Sequence, residues 1–230
     1  MSTTPQTTAP ERPAPTSSAK LVATLGLIAL FSGLLVVSVF EFTKPYIAEN
    51  QRRALEAAVF RVVPGAVTRQ DFVLTAQGLF PAAEAPAPGQ RVFAAYDAEG
   101  NLRGIALQAS ARGYADVIRV LYGYDPSCQC IVGMTVLESR ETPGLGDKIE
   151  TDARFVANFE GLDARLNPAG TGLANAIVTV KQGDKEHPWQ IDGITGATIS
   201  ANAIGRMLND SADTVLPRLA PYWAMLEGGA

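Results

Sequence analysis

The sequence predicts an α+β domain, with a largely antiparallel sheet and flanking helices, preceded by one transmembrane helix. Three observations carry this prediction: an uncharged apolar run over residues 21–40, two later pairs of strand-like runs joined by turn residues, and a helical pattern from residue 200. Strands joined as hairpins, with helices at the ends, are typical of α+β domains. The 230 residues suffice for one such domain and an anchor.

The N-terminal quarter of the chain is expected to contain three segments. Residues 1–20 are rich in Ser, Thr and Pro and predict a disordered tail. Residues 21–40 are long enough, as a helix, to cross a hydrocarbon core of about 30 Å. No A-x-A-like site follows this run, so we expect an uncleaved anchor and no signal peptide. Residues 41–65 predict a juxtamembrane helix that Pro64-Gly65 ends, which leaves residues 66–230 for the folded domain.

The charges beside the apolar run bear on its orientation. Arg12 and Lys20 precede it, whereas Lys44, Arg52 and Arg53 follow it. Because basic residues favour the cytoplasmic side, the count alone leans against export of the C-terminal domain.

The folded domain is expected to begin with an irregular connection and to continue with two hairpins. Residues 72–90 are rich in Ala, Pro and Gly, which favours irregular structure. Strand-like runs separated by turn residues predict the hairpins. The paired runs are residues 91–96 with 102–109, and residues 117–124 with 130–138. Later patterns predict a short helix at 152–159, a strand at 174–180 and a C-terminal helix from residue 200.

The composition excludes several classes of function. A net charge of -4 provides no broad cationic surface, so nucleic acid is not an expected partner. The single histidine leaves no His cluster for zinc and no Ser/His/Asp arrangement, so neither a metal site nor a catalytic residue is expected. Cys128 and Cys130 are too few for an iron–sulfur cluster. We interpret them as small packing residues, with a redox role as the alternative.

A glycine-containing approach to a helix, residues 191–202, is the most informative stretch. With Thr195 as N-cap, Thr198 falls on the first turn. An anionic phosphate is stabilised at such a helix end, and Gly193 and Gly196 would let the backbone approach it closely. Spacing alone also allows an ordinary capped helix with an Asx turn at Asp192.

The run Asp192-Gly193-Ile194-Thr195-Gly196-Ala197-Thr198 resembles the flavinylation motif of the FMN-binding domain family. The resemblance implies that FMN is bound covalently, through an ester between its phosphate and Thr198. It also implies that a separate flavin transferase recognises Asp192 and the following turn. The candidate cofactor-binding residues of this motif are Asp192, Gly193, Thr195, Gly196, Ala197 and Thr198.

A second motif, Glu141-Thr142-Pro143-Gly144-Leu145-Gly146, is similar to a loop of the G subunit of the Rnf electron-transport complex. The loop also occurs in the C subunit of the sodium-pumping NADH:quinone reductase, and Gly113-Tyr114 matches a further position of the family. Pro143-Gly144 is typical of a type II turn, which would display Leu145 for one face of an isoalloxazine ring. An ordinary turn with Leu145 in the core is the alternative. The candidates here are Glu141, Thr142, Gly144, Leu145 and Gly146, with Glu141 either solvated or tuning the flavin.

These resemblances imply a membrane-anchored flavoprotein subunit that relays electrons through covalent FMN. The complex would be an Rnf-type ferredoxin:NAD oxidoreductase coupled to ion translocation, and the chain would not be catalytic alone. We expect a single-pass protein of the bacterial inner membrane with a periplasmic domain, associated with other membrane and peripheral subunits. The alternatives are a quinone-reductase C subunit, against which the compact length argues, and a flavin-free anchored assembly or binding module.

Overall fold

The computed structural model describes residues 17–228. The chain divides into two compact units, the first ending at Gln51 and the second beginning at Arg52. Most of the expected N-terminal tail, residues 1–16, lies outside the described residues. The last three residues of that expected tail, 18–20, are helical.

The first element, α1 (Ser18–Val62), is a single helix of 45 residues. The predicted transmembrane and juxtamembrane segments, 21–40 and 41–65, are both helical and form one continuous helix that ends just before Pro64-Gly65. Pro45 lies inside α1; proline removes a helical hydrogen bond, but here it does not end the helix. The most apolar 18-residue window of α1 has a mean hydropathy of 2.4. Within residues 17–228, α1 is the one helix long and apolar enough to cross a membrane.

The second unit contains a seven-stranded sheet in the order β2-β1-β3-β4-β5-β6-β7. Its strands are β1 (Thr68–Leu74), β2 (Leu79–Pro81), β3 (Gln90–Tyr96), β4 (Leu102–Arg112), β5 (Val117–Asp125), β6 (Cys130–Glu138) and β7 (Leu162–Asp163). Every neighbouring pair is antiparallel. The predicted fold class is therefore confirmed.

Both predicted hairpins are present, as β3 with β4 and β5 with β6. The expectation of irregular structure over residues 72–90 was wrong in part, because β1 and β2 occupy its beginning and middle. β1 pairs with β3 along its whole length, and Phe72 and Leu74 are buried in the core. Pairing with an existing sheet outweighs a local composition that disfavours strands.

Two helical segments cover the two faces of the sheet. Along β3, Val92, Ala94 and Tyr96 belong to the core cluster that includes residues of α4 (Thr198–Leu219). The alternate residues Phe93 and Ala95 pack with the last turns of α1. The alternation of side chains along a strand thus gives each face its own helix.

Several short elements complete the second unit. They are α2 (Lys148–Thr151), α3 (Ala153–Ala157), β8 (Val178–Val180), β9 (Gln190–Asp192), a 3-10 turn (Ala220–Tyr222) and α5 (Trp223–Glu227). Asp152 caps α3, accepting hydrogen bonds from the backbone amides of Arg154 and Phe155. β8 is shorter than the strand predicted at 174–180, and it pairs in parallel with β9.

Cys128 and Cys130 form a disulfide at the turn between β5 and β6. Our interpretation of these cysteines as packing residues was wrong, because their sulfurs are bonded to each other and Cys128 lies in the turn that precedes β6. Gln129 between them has a left-handed backbone, φ 52°. This conformation turns the chain so that the two sulfurs meet across a single residue.

Candidate functional site

Three loops and the first turn of α4 surround one open cavity of about 340 Å³. Seven predicted site residues line this cavity: Glu141, Thr142, Leu145, Gly146, Gly196, Ala197 and Thr198. Tyr114, Ile199 and Ser200 also line it. The other four candidates lie outside the lining: Asp192 is the last residue of β9, and Gly193, Thr195 and Gly144 lie in loops.

The first loop is built on the predicted turn at Pro143-Gly144. The amide of Leu145 donates to the carbonyl oxygen of Thr142 at 3.1 Å, and Gly144 has φ 78°. A positive φ at the third position is what a type II turn requires, and glycine adopts it without strain. Leu145 is 51% exposed, so it is displayed and not packed in the core.

The second loop is a turn of the same kind at residues 194–197. The amide of Ala197 donates to the carbonyl oxygen of Ile194 at 3.1 Å, and Gly196 has φ 88°. This turn makes Ala197 the N-cap of α4, so the prediction of Thr195 as N-cap was wrong. Thr195 lies inside the turn, where its amide donates to Oε1 of Gln182 at 3.1 Å.

Thr198 is the first residue of α4, and it is exposed. No side chain caps this helix end in the part of the chain that the structure describes. The first amide groups of a helix lack partners within the helix, and they lie at the positive end of the helix dipole. Thr198 therefore places a hydroxyl at a position where an anionic group is favoured.

Asp192 and Gly193 support the approach to this turn. Oδ1 of Asp192 accepts a hydrogen bond from the amide of Gly183 at 2.6 Å, so the Asx-turn interpretation was wrong. The amide of Asp192 donates to Oδ1 of Asn158 at 2.9 Å. The amide of Gly193 donates to the carbonyl oxygen of Val180 at 3.1 Å. These contacts fix the strand from which the turn at 194–197 starts.

Glu141 is buried at the back of the cavity, with 6% of its surface exposed, so it is not a solvated loop charge. Its Oε1 accepts from the amide of Ala115 at 2.9 Å, and its Oε2 accepts from the hydroxyl of Ser200. Burial raises the pKa of Glu141, but these hydrogen bonds, with those from the amides of Tyr114 and Asp116, outweigh burial and lower it. Glu141 is therefore ionised at neutral pH.

Tyr114, Ile199 and Ser200 are the lining residues that sequence reasoning did not assign to the site. Tyr114 is 68% exposed and Ile199 is also exposed, although each has a large side chain with much apolar surface. Gly113-Tyr114 gave a signal for one of them, because it matches a family position. Ile199 and Ser200 directly follow Thr198, but their sequence pattern is that of any helix start.

The residues present fit FMN. The uncapped start of α4 suits the phosphate group, and Thr198 offers a hydroxyl beside it. Tyr114, Leu145 and Ile199 provide aromatic and aliphatic surface of the kind that a planar ring system contacts.

Comparison with known proteins assigns the chain to a family. The model of the FMN-binding domain matches residues 113–213, which include every residue lining the cavity, and the model of the RnfG N-terminal region matches residues 14–62. The G subunit of the ion-translocating oxidoreductase complex of Pasteurella multocida is 32% identical over 206 residues, covering 88% of this chain and 95% of that protein. The chain belongs to the RnfG family. The family resemblance drawn from the two motifs is confirmed.

Further matches agree with this assignment to the RnfG family. The corresponding G subunit of Pseudomonas aeruginosa is 32% identical over 193 residues, covering 80% of this chain and 82% of that protein. The crystal structure of Shewanella oneidensis NqrC superimposes with a TM-score of 0.59 and 20% identity, covering 79% of this chain and 100% of that chain. At this identity the similarity to NqrC concerns the fold. The cavity therefore lies in an FMN-binding domain with an NqrC-like fold.

Proposed function

We propose that this member of the RnfG family carries FMN covalently on Thr198 and relays electrons in a membrane-bound Rnf-type complex. The complex would be a ferredoxin:NAD oxidoreductase coupled to ion translocation. The observation that carries the proposal is the exposed Thr198 hydroxyl, at the uncapped start of α4, in the cavity of an FMN-binding domain. When bound, FMN supplies the chemistry of accepting and donating electrons.

The phosphate end of the site supports covalent attachment. The ester would join Oγ of Thr198 to the phosphorus as the hydroxyl loses its proton and one oxygen substituent leaves the phosphorus. The phosphate group would then lie where unpaired helix amides and the helix dipole stabilise negative charge. Gly196 and Ala197, which precede Thr198 in the cavity wall, present no large side chain to this group. A flavin transferase could reach Thr198 because the residue is exposed.

The remaining lining residues support orientation of the ring. Leu145 projects from its turn, and Tyr114 and Ile199 are exposed around the same cavity. Contact with the ring would remove apolar surface of these side chains from water, which favours a fixed placement of the flavin. A fixed flavin suits an electron relay, because the rate of electron transfer depends on the distance between the cofactors.

The disulfide supports a periplasmic location of the second unit. Cys128 and Cys130 are paired, and disulfides persist in oxidising compartments such as the bacterial periplasm. We therefore propose that α1 spans the inner membrane with the FMN-binding domain outside. The basic residues after the apolar run do not prevent this, because long domains are translocated largely regardless of charge.

The proposed partners follow from the family. Its relatives are named as components of an ion-translocating oxidoreductase complex, so we propose other membrane and peripheral subunits as the electron donor and acceptor. A relay protein of this kind is not catalytic alone. A flavin transferase is proposed as a further, transient partner during maturation.

The proposal is tested by mass spectrometry of the full chain, purified from membranes of cells that also produce a flavin transferase. We expect the peptide containing Thr198 to carry the mass of FMN less one water, with fragmentation locating the addition on Thr198. A purified chain with FMN released by denaturation would contradict covalent attachment. A chain with no flavin would indicate the flavin-free module.

A second measurement separates the two ion-translocating complexes. The tagged chain is isolated in mild detergent, and the preparation is assayed with reduced ferredoxin plus NAD and with NADH plus a quinone. Reduction of NAD by ferredoxin is the expected result. Activity only with NADH and quinone would assign the chain to the quinone reductase.

A further inference from the structure

We propose that Glu141 is a positioning residue, which holds the segment containing Tyr114 and the loop containing Leu145 against the first turn of α4. This inference rests on the proposed FMN site. It assigns to Glu141 a role in shaping the cavity, distinct from the covalent attachment at Thr198.

The hydrogen bonds of Glu141 join parts of the chain that are far apart in sequence. Ala115, whose amide donates to Oε1, is 26 residues before Glu141. Ser200, whose hydroxyl donates to Oε2, is 59 residues after it. One carboxylate thus connects the β4–β5 loop, its own loop and α4, the three segments that line the cavity.

Two glycines leave the space that this carboxylate occupies. A Cβ built on Gly113 would lie 2.5 Å from Oε1 of Glu141. A Cβ built on Gly146 would lie 2.7 Å from Cβ of Glu141. Contacts this short do not occur between real side chains. The backbone of the β4–β5 loop, at Gly113, and that of the loop containing Glu141, at Gly146, therefore pack directly against the side chain of Glu141. Glycines of two motifs, Gly113 and Gly146, therefore leave room for the buried side chain of Glu141.

Each segment that Glu141 joins carries a cavity residue beside the point of contact. Tyr114 directly precedes Ala115, Leu145 directly precedes Gly146, and Thr198 lies two residues before Ser200. The hydrogen bonds and the packing of Glu141 therefore fix the separation between the aromatic side chain, the aliphatic side chain and the attachment site. Removal of the carboxylate leaves buried donors without their acceptor, which loosens this arrangement.

The test uses the full-length chain in detergent, produced together with a flavin transferase, and compares Glu141→Gln with wild type. Glutamine keeps the shape but removes the charge and one acceptor oxygen. We expect covalent flavin to be retained in a denaturing gel. We expect the visible circular dichroism of the flavin to fall by at least half, the fluorescence anisotropy of the flavin to fall, and the midpoint potential to rise because a nearby negative charge is lost.

Glu138→Gln is the matched control. Glu138 lies three residues earlier, is partly exposed and pairs with Arg119 at 3.5 Å on the surface. Its substitution should leave all three flavin signals as in wild type. If Glu141→Gln also leaves the dichroism, the anisotropy and the potential unchanged, Glu141 is not a positioning residue and the inference is overturned.

Ser200→Ala provides a second route, needed if Glu141→Gln does not fold. Alanine is well tolerated in a helix, so this substitution removes one donor to Glu141 without disrupting α4. We expect the same changes in flavin dichroism and anisotropy, at smaller size, and wild-type signals would overturn the inference. When Glu141→Gln is already present, Ser200→Ala should change the flavin dichroism and anisotropy less than it does in the wild-type protein. Failure of the proposed function is distinguishable, because wild type itself would then show no covalent flavin.

Discussion

The side chain of Leu145 lies beside Gly196, with Cδ2 3.9 Å from the position that a Cβ on Gly196 would occupy. Each residue belongs to a turn that depends on glycine, at Gly144 and at Gly196, with φ 78° and 88°. The two turns come from motifs about fifty residues apart in the sequence. Their proximity brings an apolar side chain next to the turn that precedes Thr198, the residue to which we propose that the flavin is attached.

Leu145→Asp tests whether Leu145 contacts the flavin ring. A carboxylate at this position disfavours the negative charge that the ring gains on reduction, so the midpoint potential should fall. Because Leu145 is about half exposed, the melting temperature should change little. Leu145→Asn is the uncharged control and should shift the potential less. A lower melting temperature with an unchanged potential would place Leu145 outside the flavin contact.

The dependence of the unfolding free energy on pH, in the acid range, should reveal the lowered pKa of Glu141. Hydrogen bonds lower its pKa in the folded state, so its ionised form contributes stability above the unfolded pKa, about 4.3. This contribution is lost as the pH falls through the lower, folded pKa. The difference in unfolding free energy between wild type and Glu141→Gln should therefore become smaller as the pH falls below about 4.3. Denaturant titrations at several pH values measure it, and a difference independent of pH would contradict the assignment.

Two N-terminal deletions test where the folded unit begins. Ala58, Val59 and Val62 are buried against the sheet, so the FMN-binding unit needs the end of α1. Removal of residues 1–51 should give a soluble, folded domain that still accepts flavin when a flavin transferase is produced in the same compartment. Removal of residues 1–65 should uncover the apolar face of Phe93 and Leu121 and cause aggregation or a markedly lower melting temperature. Equal behaviour of the two proteins would show that the end of α1 is dispensable.

The disulfide and the orientation are tested with one cysteine-free protein, in which Cys128 and Cys130 are both serine. Flavin content should be unchanged, and stability should fall by about 1–2 kcal/mol, the chain-entropy contribution of a very short loop. Addition of Glu99→Cys places a thiol at an exposed position between β3 and β4. A membrane-impermeant maleimide should label it in intact spheroplasts. Labelling only after lysis would place the domain in the cytoplasm.

The sequence was sufficient to predict the four strands β3, β4, β5 and β6, but not β1 and β2 beside them. The β3–β4 and β5–β6 hairpins follow from local alternation and turn residues, which act over a few positions. β1 could not be predicted in the same way, because Phe72 and Leu74 become strand residues through pairing with β3. Such pairing depends on contacts formed only in the folded chain.

For the candidate site, too, the sequence predicted residues within each motif but not the contacts between distant segments. The motifs placed Leu145 and Thr198 in it, since each motif is a contiguous stretch. They did not show that Glu141 is buried, because its partners Ala115 and Ser200 lie in other segments. They also misplaced the helix start, since the turn at Gly196 shifts the N-cap from Thr195 to Ala197.

We propose that Thr198 carries the flavin, and in-gel fluorescence of Thr198→Val tests this attachment. Valine keeps the branched shape but lacks the hydroxyl that the ester requires. Thr195→Val is the matched control, because Thr195 is also exposed, lies only three residues before Thr198 and does not line the cavity. With a flavin transferase present, we expect fluorescence for wild type and Thr195→Val and none for a folded, membrane-inserted Thr198→Val. Fluorescence of Thr198→Val at the wild-type level would contradict this attachment.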